Sequence, residues 1–130
     1  MNPSVEVTQR LFERFGAADI PGILEYIHDD IVIEFYGPSV IPYAGTYQGR
    51  EAARQFFNNV LSNVDIHVFE AEQFFSEGAM VSVTGTLHLT AKSTGRDIKS
   101  SFAHVITVQD GKWIRFRDFM DTSVAVAAFS

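Results

Sequence analysis

The chain contains no cysteine. Neither a disulfide framework nor a thiolate metal site is therefore possible, and cysteine usage leaves the redox compartment open. Basic charge is also scarce: 10 Lys and Arg face 16 Asp and Glu, for a net charge of −6. That balance argues against nucleic acid and anionic membrane surfaces as partners. No run of about 18 apolar residues occurs. The N-terminus, MNPSVEVTQR, lacks the apolar core of a signal peptide. The expected setting is the cytoplasm. A glycine-rich phosphate loop, a nucleophile elbow and a His-Glu-x-x-His helix are all missing. The histidines at 28, 67, 88 and 104 have no ligand spacing, so no metal is expected.

What remains is an aromatic, globular chain. Its 130 residues are 46% hydrophobic and 20% charged, enough for one real core, and a single domain over 1–130 is expected. Twelve Phe, four Tyr and one Trp are more rings than a core of this size needs, which points to a ring-lined cavity.

Helical signals come first. Asn2 and Pro3 read as N-cap and first helical residue, and Val7, Leu11, Phe12 and Phe15 recur at helical spacing to about residue 17. Asp19 caps a short second helix that His28-Asp29-Asp30 ends. Residues 31–36 read as a strand, 37–49 as a loop and 50–62 as a third helix, with Phe56, Phe57 and Val60 on its buried side. Segments 65–76, 79–92, 98–109 and 112–122 are then strands joined by short turns. In 79–92 the alternation is clean: Val81, Val83, Leu87, Leu89 and Ala91 point one way, and Ser82, Thr84, Thr86, His88 and Thr90 the other. Helices followed by a meander predict an α+β domain.

The most informative stretch is DGKWIRFRDFMD, residues 110–121. Asp110-Gly111 marks a tight turn. Simple alternation after it puts Ile114, Phe116, Asp118 and Met120 on one face and Trp113, Arg115, Arg117 and Phe119 on the other. A carboxylate among rings and a thioether costs several kcal/mol unless it is paired, neutralised or used. Asp118 is accordingly the strongest functional candidate. The face carrying Trp113, Arg115, Arg117 and Phe119 suits a homodimer packed through the sheets.

Three features together carry a resemblance: Asp29-Asp30 ahead of a strand, Tyr47-Gln48-Gly49-Arg50 opening the third helix, and DGKWIRFRDFMD at the end. With them the chain resembles the nuclear transport factor 2-like superfamily, and within it the SnoaL-like polyketide cyclases and ketosteroid isomerase-related proteins. The resemblance implies a cone-shaped, curved, mostly antiparallel sheet wrapped around three N-terminal helices, with an interior apolar cavity. It also excludes. Where ketosteroid isomerases carry their base, oxyanion tyrosine and protonated aspartate, this chain has Phe35 after Glu34, Leu11 and Ala103. Where limonene epoxide hydrolases carry an arginine–aspartate pair and a water-holding tyrosine and asparagine, it has Gly85, Leu87, Ser39 and Ile41. The SnoaL-like pattern is retained better, with an acid/base aspartate matched by Asp118 and a histidine one strand earlier matched by His104.

Whether His104 faces Asp118 depends on the last hairpin. A strict two-residue turn pairs His104 with Arg117, on the opposite face from Asp118. A three-residue loop with a bulge at Gly111 pairs it with Phe116, beside Asp118, and the resemblance favours this second geometry. The predicted catalytic residues are Asp118 and His104. The predicted ligand-lining residues are Phe12, Phe15, Phe35, Tyr43, Phe56, Leu87, Phe102, Phe116 and Met120. The function expected is cofactor-free proton transfer, of isomerase or cyclase type, on a small apolar cyclic carbonyl compound. The alternative is a non-catalytic binder of a small hydrophobic ligand, or a dimeric scaffold, of the same fold.

Overall fold

Capping chemistry sets the first helices. The computed structural model of the chain describes residues 2–130. In α1 (Pro3–Gly16) the Asn2 side chain accepts the Ser4 amide at 2.8 Å, satisfying one of the donors a helix start leaves open. Asp19 does the same for α2 (Ile20–Leu24), accepting from the Gly22 amide at 3.0 Å. Then follow β1 (Ile27–Phe35), β2 (Gly45–Gln48), α3 (Arg50–Asn63), β3 (Val64–Glu77), β4 (Met80–Ala91), β5 (Asp97–Gln109), β6 (Lys112–Met120) and α4 (Thr122–Phe129). No helix among the described residues is long and apolar enough to cross a membrane.

The six strands form one curved, unclosed sheet in the order β2-β1-β6-β5-β4-β3. Every pairing is antiparallel except β1 with β6, which is parallel. The fold is thus α+β, with helices over the concave face. The alternation expected in β4 holds: Val81, Val83, Leu87, Leu89 and Ala91 are buried, and the residues between them are more exposed. Strand β3 carries two extra residues, His67 and Glu72, between its pairings with β4. Such bulges bend a strand and re-aim its side chains, so Ile66, Phe69, Ala71 and Phe74 all lie against the helical side.

Three elements depart from expectation. Strand β1 begins at Ile27, so His28-Asp29-Asp30 belong to a strand rather than a helix end. Its early start is set by β6: the Trp113 amide donates to the Tyr26 carbonyl at 2.8 Å, and Ile27 pairs with Trp113. The glycine- and proline-rich loop contains the short strand β2, paired to β1 from Val32↔Gln48 to Phe35↔Gly45. The tail forms α4, capped by Asp121 accepting from the Ser123 amide at 3.1 Å. The three alanines of TSVAVAAF favour a helix, but its Thr, Ser, Val and Phe do not, and the segment has too little periodicity to signal one.

The last hairpin corrects both anticipated registers. Gln109 pairs with Lys112, and Asp110 and Gly111 take φ values of 55° and 72°, as a two-residue type I′ turn requires. The extra residue lies further along: Val108 pairs with Trp113 but Thr107 with Arg115, leaving Ile114 as a bulge in β6. His104 is therefore directly opposite Asp118. The same bulge turns Trp113 inward, fully buried, rather than onto the outer face with Arg115 and Arg117.

Gly85 permits the tightest point of the sheet. It pairs with Ala71 on one side and Phe102 on the other. A Cβ there would stand 1.9 Å from the Glu70 carbonyl oxygen and 2.7 Å from the Phe102 ring. Gly85→Ala is expected to lower stability by about 1–3 kcal/mol, the usual cost of overpacking. A urea-unfolding midpoint reads this, and a midpoint equal to the wild type's would show that the sheet does not need glycine there.

Candidate functional site

The concave face and the helices enclose a cavity of about 60 Å3. Helix α1 contributes Leu11, Phe12 and Phe15, and α3 contributes Phe56, Phe57 and Val60. Phe35 comes from β1 and Tyr43 from the β1–β2 connection. The sheet adds Ile66, Phe69, Leu87, Leu89, His104, Trp113, Phe116, Asp118 and Met120. Of the residues predicted from sequence, Phe102 alone is not on this wall. It lies one layer behind, stacked on Phe69 at 4.8 Å between ring centroids and packed 4.4 Å from the His104 ring.

Some lining residues escaped sequence reasoning. Leu11, Phe57, Val60 and Leu89 carry an inward periodic signal and needed only to be added to the set. Phe69 and Trp113 could not be read this way, because a bulge at His67 breaks the alternation ahead of Phe69 and one at Ile114 breaks it directly after Trp113.

Three polar side chains interrupt the apolar wall: His104, Asp118 and Tyr43. His104 Nε2 lies 3.2 Å from Asp118 Oδ1, with side-chain exposures of 5% and 16%. The imidazole sits in a ring cage: Phe116 meets it edge-on at 4.9 Å, and Phe12 and Phe69 are each at 5.8 Å. Its other nitrogen, Nδ1, is buried with no hydrogen-bond partner. Tyr43, on Phe35 at 5.0 Å, has a buried and equally unpartnered hydroxyl. Buried polar groups in native proteins are nearly always satisfied. Two buried side-chain atoms of the cavity wall, Tyr43 Oη and His104 Nδ1, are not. By contrast the Trp113 indole N–H donates to Thr8 Oγ1 at 3.1 Å, and that hydroxyl donates to the Ser4 carbonyl at 2.9 Å. Trp113 is thus anchored to α1, leaving no free donor.

Burial, and secondarily the negative charge of Asp118, push the Tyr43 phenol well above the usual tyrosine range. Tyr43 therefore stays an O–H donor at any working pH, facing the space that Asp118 also lines. Among the described residues no three His, Cys, Asp or Glu side chains are placed to share a metal ion.

A curved, mostly antiparallel sheet closing over helices and a small apolar cavity defines the nuclear transport factor 2-like fold. Within it, this chain belongs to the SnoaL-like domain family, which matches residues 8–116. Solved structures are similar over nearly the whole chain. A nuclear transport factor 2-like protein from Burkholderia xenovorans shares 27% identity over 98% of this chain and 96% of its own, with a TM-score of 0.90. TerC, co-crystallised with polyporic acid, shares 26% identity over 98% of both chains, with a TM-score of 0.85. A nuclear transport factor 2-like protein of unknown function from Burkholderia pseudomallei, 24% identical over 100% of this chain and 99% of its own at a TM-score of 0.90, carries the fold alone. No curated protein matches.

The Tyr43 hydroxyl has a measurable signature. Below pH 10 the phenol is neutral in both folded and unfolded chains, so it adds no pH dependence there. Above the ordinary value of 10.0 the unfolded chain ionises while the folded one does not. Its contribution to stability is then lost as pH rises. Melting temperature is expected to fall more steeply between pH 9 and 11 for wild type than for Tyr43→Phe. At pH 7 Tyr43→Phe should be neutral or slightly stabilising, since it removes an unsatisfied buried group. A substantial loss of melting temperature at pH 7 would show that the hydroxyl is bonded.

Proposed function

We propose that this SnoaL-like protein is an acid/base enzyme that moves a proton at the carbon beside a carbonyl of a small apolar molecule. The observation that carries this is the His104–Asp118 contact at 3.2 Å in a cavity otherwise lined by rings and aliphatic chains, with the Tyr43 hydroxyl as its remaining polar group. The Asp118 carboxylate takes the α-proton, and the electron pair moves onto the carbonyl oxygen. Tyr43 donates its O–H to the resulting enolate oxygen, and His104 holds the carboxylate in place. Asp118 then returns the proton to a different carbon in an isomerisation. In a cyclisation the enolate carbon instead bonds to a second carbonyl carbon of the same molecule, whose π pair moves onto its oxygen and takes up the proton held by Asp118. No cofactor is required, because a general base in a dry site and an oxyanion donor supply the chemistry. TerC, a relative in the same fold co-crystallised with polyporic acid, is a precedent for pairing this architecture with a small organic acid.

Proton transfer can be tested without knowing the physiological substrate. The wild-type protein is expected to accelerate deuterium uptake at the α-carbon of cyclohexanone or 2-butanone in D2O, followed by proton NMR. Asp118→Asn should lower that acceleration by on the order of a hundredfold, the usual contribution of a positioned general base. Equal exchange by wild type and Asp118→Asn would refute the assignment. A second reading, a binder without turnover, is favoured by Phe35 and Ala103 standing where related isomerases carry carboxyls. Ligand binding with no catalysed exchange would establish it.

We also infer a homodimer through the convex face of β1 and β6. Tyr36, 40% exposed, stacks on Phe119 at 5.0 Å, and the Arg117 guanidinium lies 5.1 Å from the Phe119 ring. Arg115 Nη2 is held by Glu34 Oε1 at 2.9 Å, and Arg117 Nε donates to the Tyr36 hydroxyl at 3.2 Å. Aromatic and arginine side chains already held in place lose little entropy on docking. Light scattering at micromolar concentration is expected to report twice the 14.5 kDa chain mass, and Phe119→Lys should give monomer. A wild-type monomer would rule the interface out.

A further inference from the structure

A second concavity lies on the other side of the cavity wall. Between α1 and β3 runs an open trough of about 590 Å3. Four side chains line both spaces: Phe12, Phe15, Ile66 and Phe69. This partition is one ring thick. Phe69 meets Phe12 edge-on at 5.5 Å and Phe15 at 5.3 Å. All four residues are only partly buried, so each has a solvent side to turn towards. The floor of the trough is apolar, from Ala71 and Phe74, and its rim carries Gln9 and the exposed Glu13.

The two volumes differ in what they can hold. Clefts for small organic ligands usually measure about 300–1,000 Å3. The inner cavity, at about 60 Å3, has room for a reacting head group and little else. The trough alone falls in the usual range.

We propose that the two spaces form one divided site: a ligand sets its carbonyl head in the inner chamber and its apolar body in the α1–β3 trough, through a partition opened by Phe12, Phe15 and Phe69. The substrate class is then an elongated apolar ketone with a small reactive end, not a compact ring enclosed on all sides. Its outer end carries no negative charge, because Glu13 stands at the rim. The divided site depends on the function proposed above, in which the inner chamber is where a carbonyl meets Asp118.

The sole tryptophan, Trp113, lines the inner chamber and not the trough, so its emission reports whether a head group arrives. Methyl ketones from 2-butanone to 2-decanone are the probes, titrated against the full chain. Affinity is expected to rise roughly three- to fourfold per methylene, as burial of the chain requires. Ala71→Phe, which narrows the trough without adding a second tryptophan, should flatten that rise while leaving the Trp113 response to 2-butanone in place. In a second, charge-based arm, 9-oxodecanoate should bind more weakly than its neutral amide. Glu13→Lys, at an exposed position, should narrow that gap by about two- to fivefold, the range for a surface charge. If no ketone perturbs Trp113, the inner chamber is not a carbonyl site, and both this proposal and the function it rests on fall. If ketones do perturb Trp113 but affinity ignores chain length, or neither Ala71→Phe nor Glu13→Lys changes the pattern, the trough is overturned and the chamber stands alone.

Discussion

In an undisturbed hairpin closed by Asp110-Gly111, Trp113 and Asp118 would point to opposite faces of the sheet, because they stand an odd number of positions apart. The bulge at Ile114 removes that conflict by adding one residue to β6 against β5. Trp113 can then bury its indole and bond to Thr8 of α1. Three residues later Phe116, and after it Asp118 and Met120, still face the cavity. The anchor that seats α1 on the sheet and the acid of the candidate site are thus both consequences of one irregularity. Strand β1 depends on it too, since β1 takes its parallel register from β6 on the far side.

The polar part of the cavity makes little sense as scaffolding. A buried polar pair is weak support for stability, and apolar side chains of similar size often do as well or better. His104 and Asp118 sit among Phe12, Phe69, Phe102 and Phe116, where more hydrocarbon would pack readily. Two further polar atoms on this wall, Tyr43 Oη and His104 Nδ1, have no partner at all. Groups of this kind cost free energy in the folded state, so stability alone does not account for them.

Regular periodicity was legible in the chain and its interruptions were not. Helices α1 and α3, strand β4 and the inward set along it follow from spacing alone, and the resemblance carried by DGKWIRFRDFMD correctly placed the whole in its superfamily. Placing Trp113 outside and pairing His104 with Phe116 both failed for one reason. A bulge has no residue-type signature, and Ile114 is an ordinary strand residue. Strand β2 was hidden because GTYQ is too short to alternate, and it is held by its partner β1 rather than by its own propensity. The orphaned Tyr43 hydroxyl could not be anticipated, since it depends on how the β1–β2 connection folds back on Phe35.

The lone parallel pairing has a consequence for how the molecule comes into being. Ile33 of β1 lies beside Phe116 of β6, about eighty residues later in the chain. Closing so long a loop costs entropy before any contact offsets it, and topologies of this kind fold slowly. During synthesis β1 leaves the ribosome about eighty residues ahead of its β6 partner and has only the short β2 to pair with until β6 emerges. The chamber consequently has no wall on that side until β6 exists. Throughout that interval the apolar strand Ile31-Val32-Ile33 presents an open edge, the kind of edge on which chains associate wrongly.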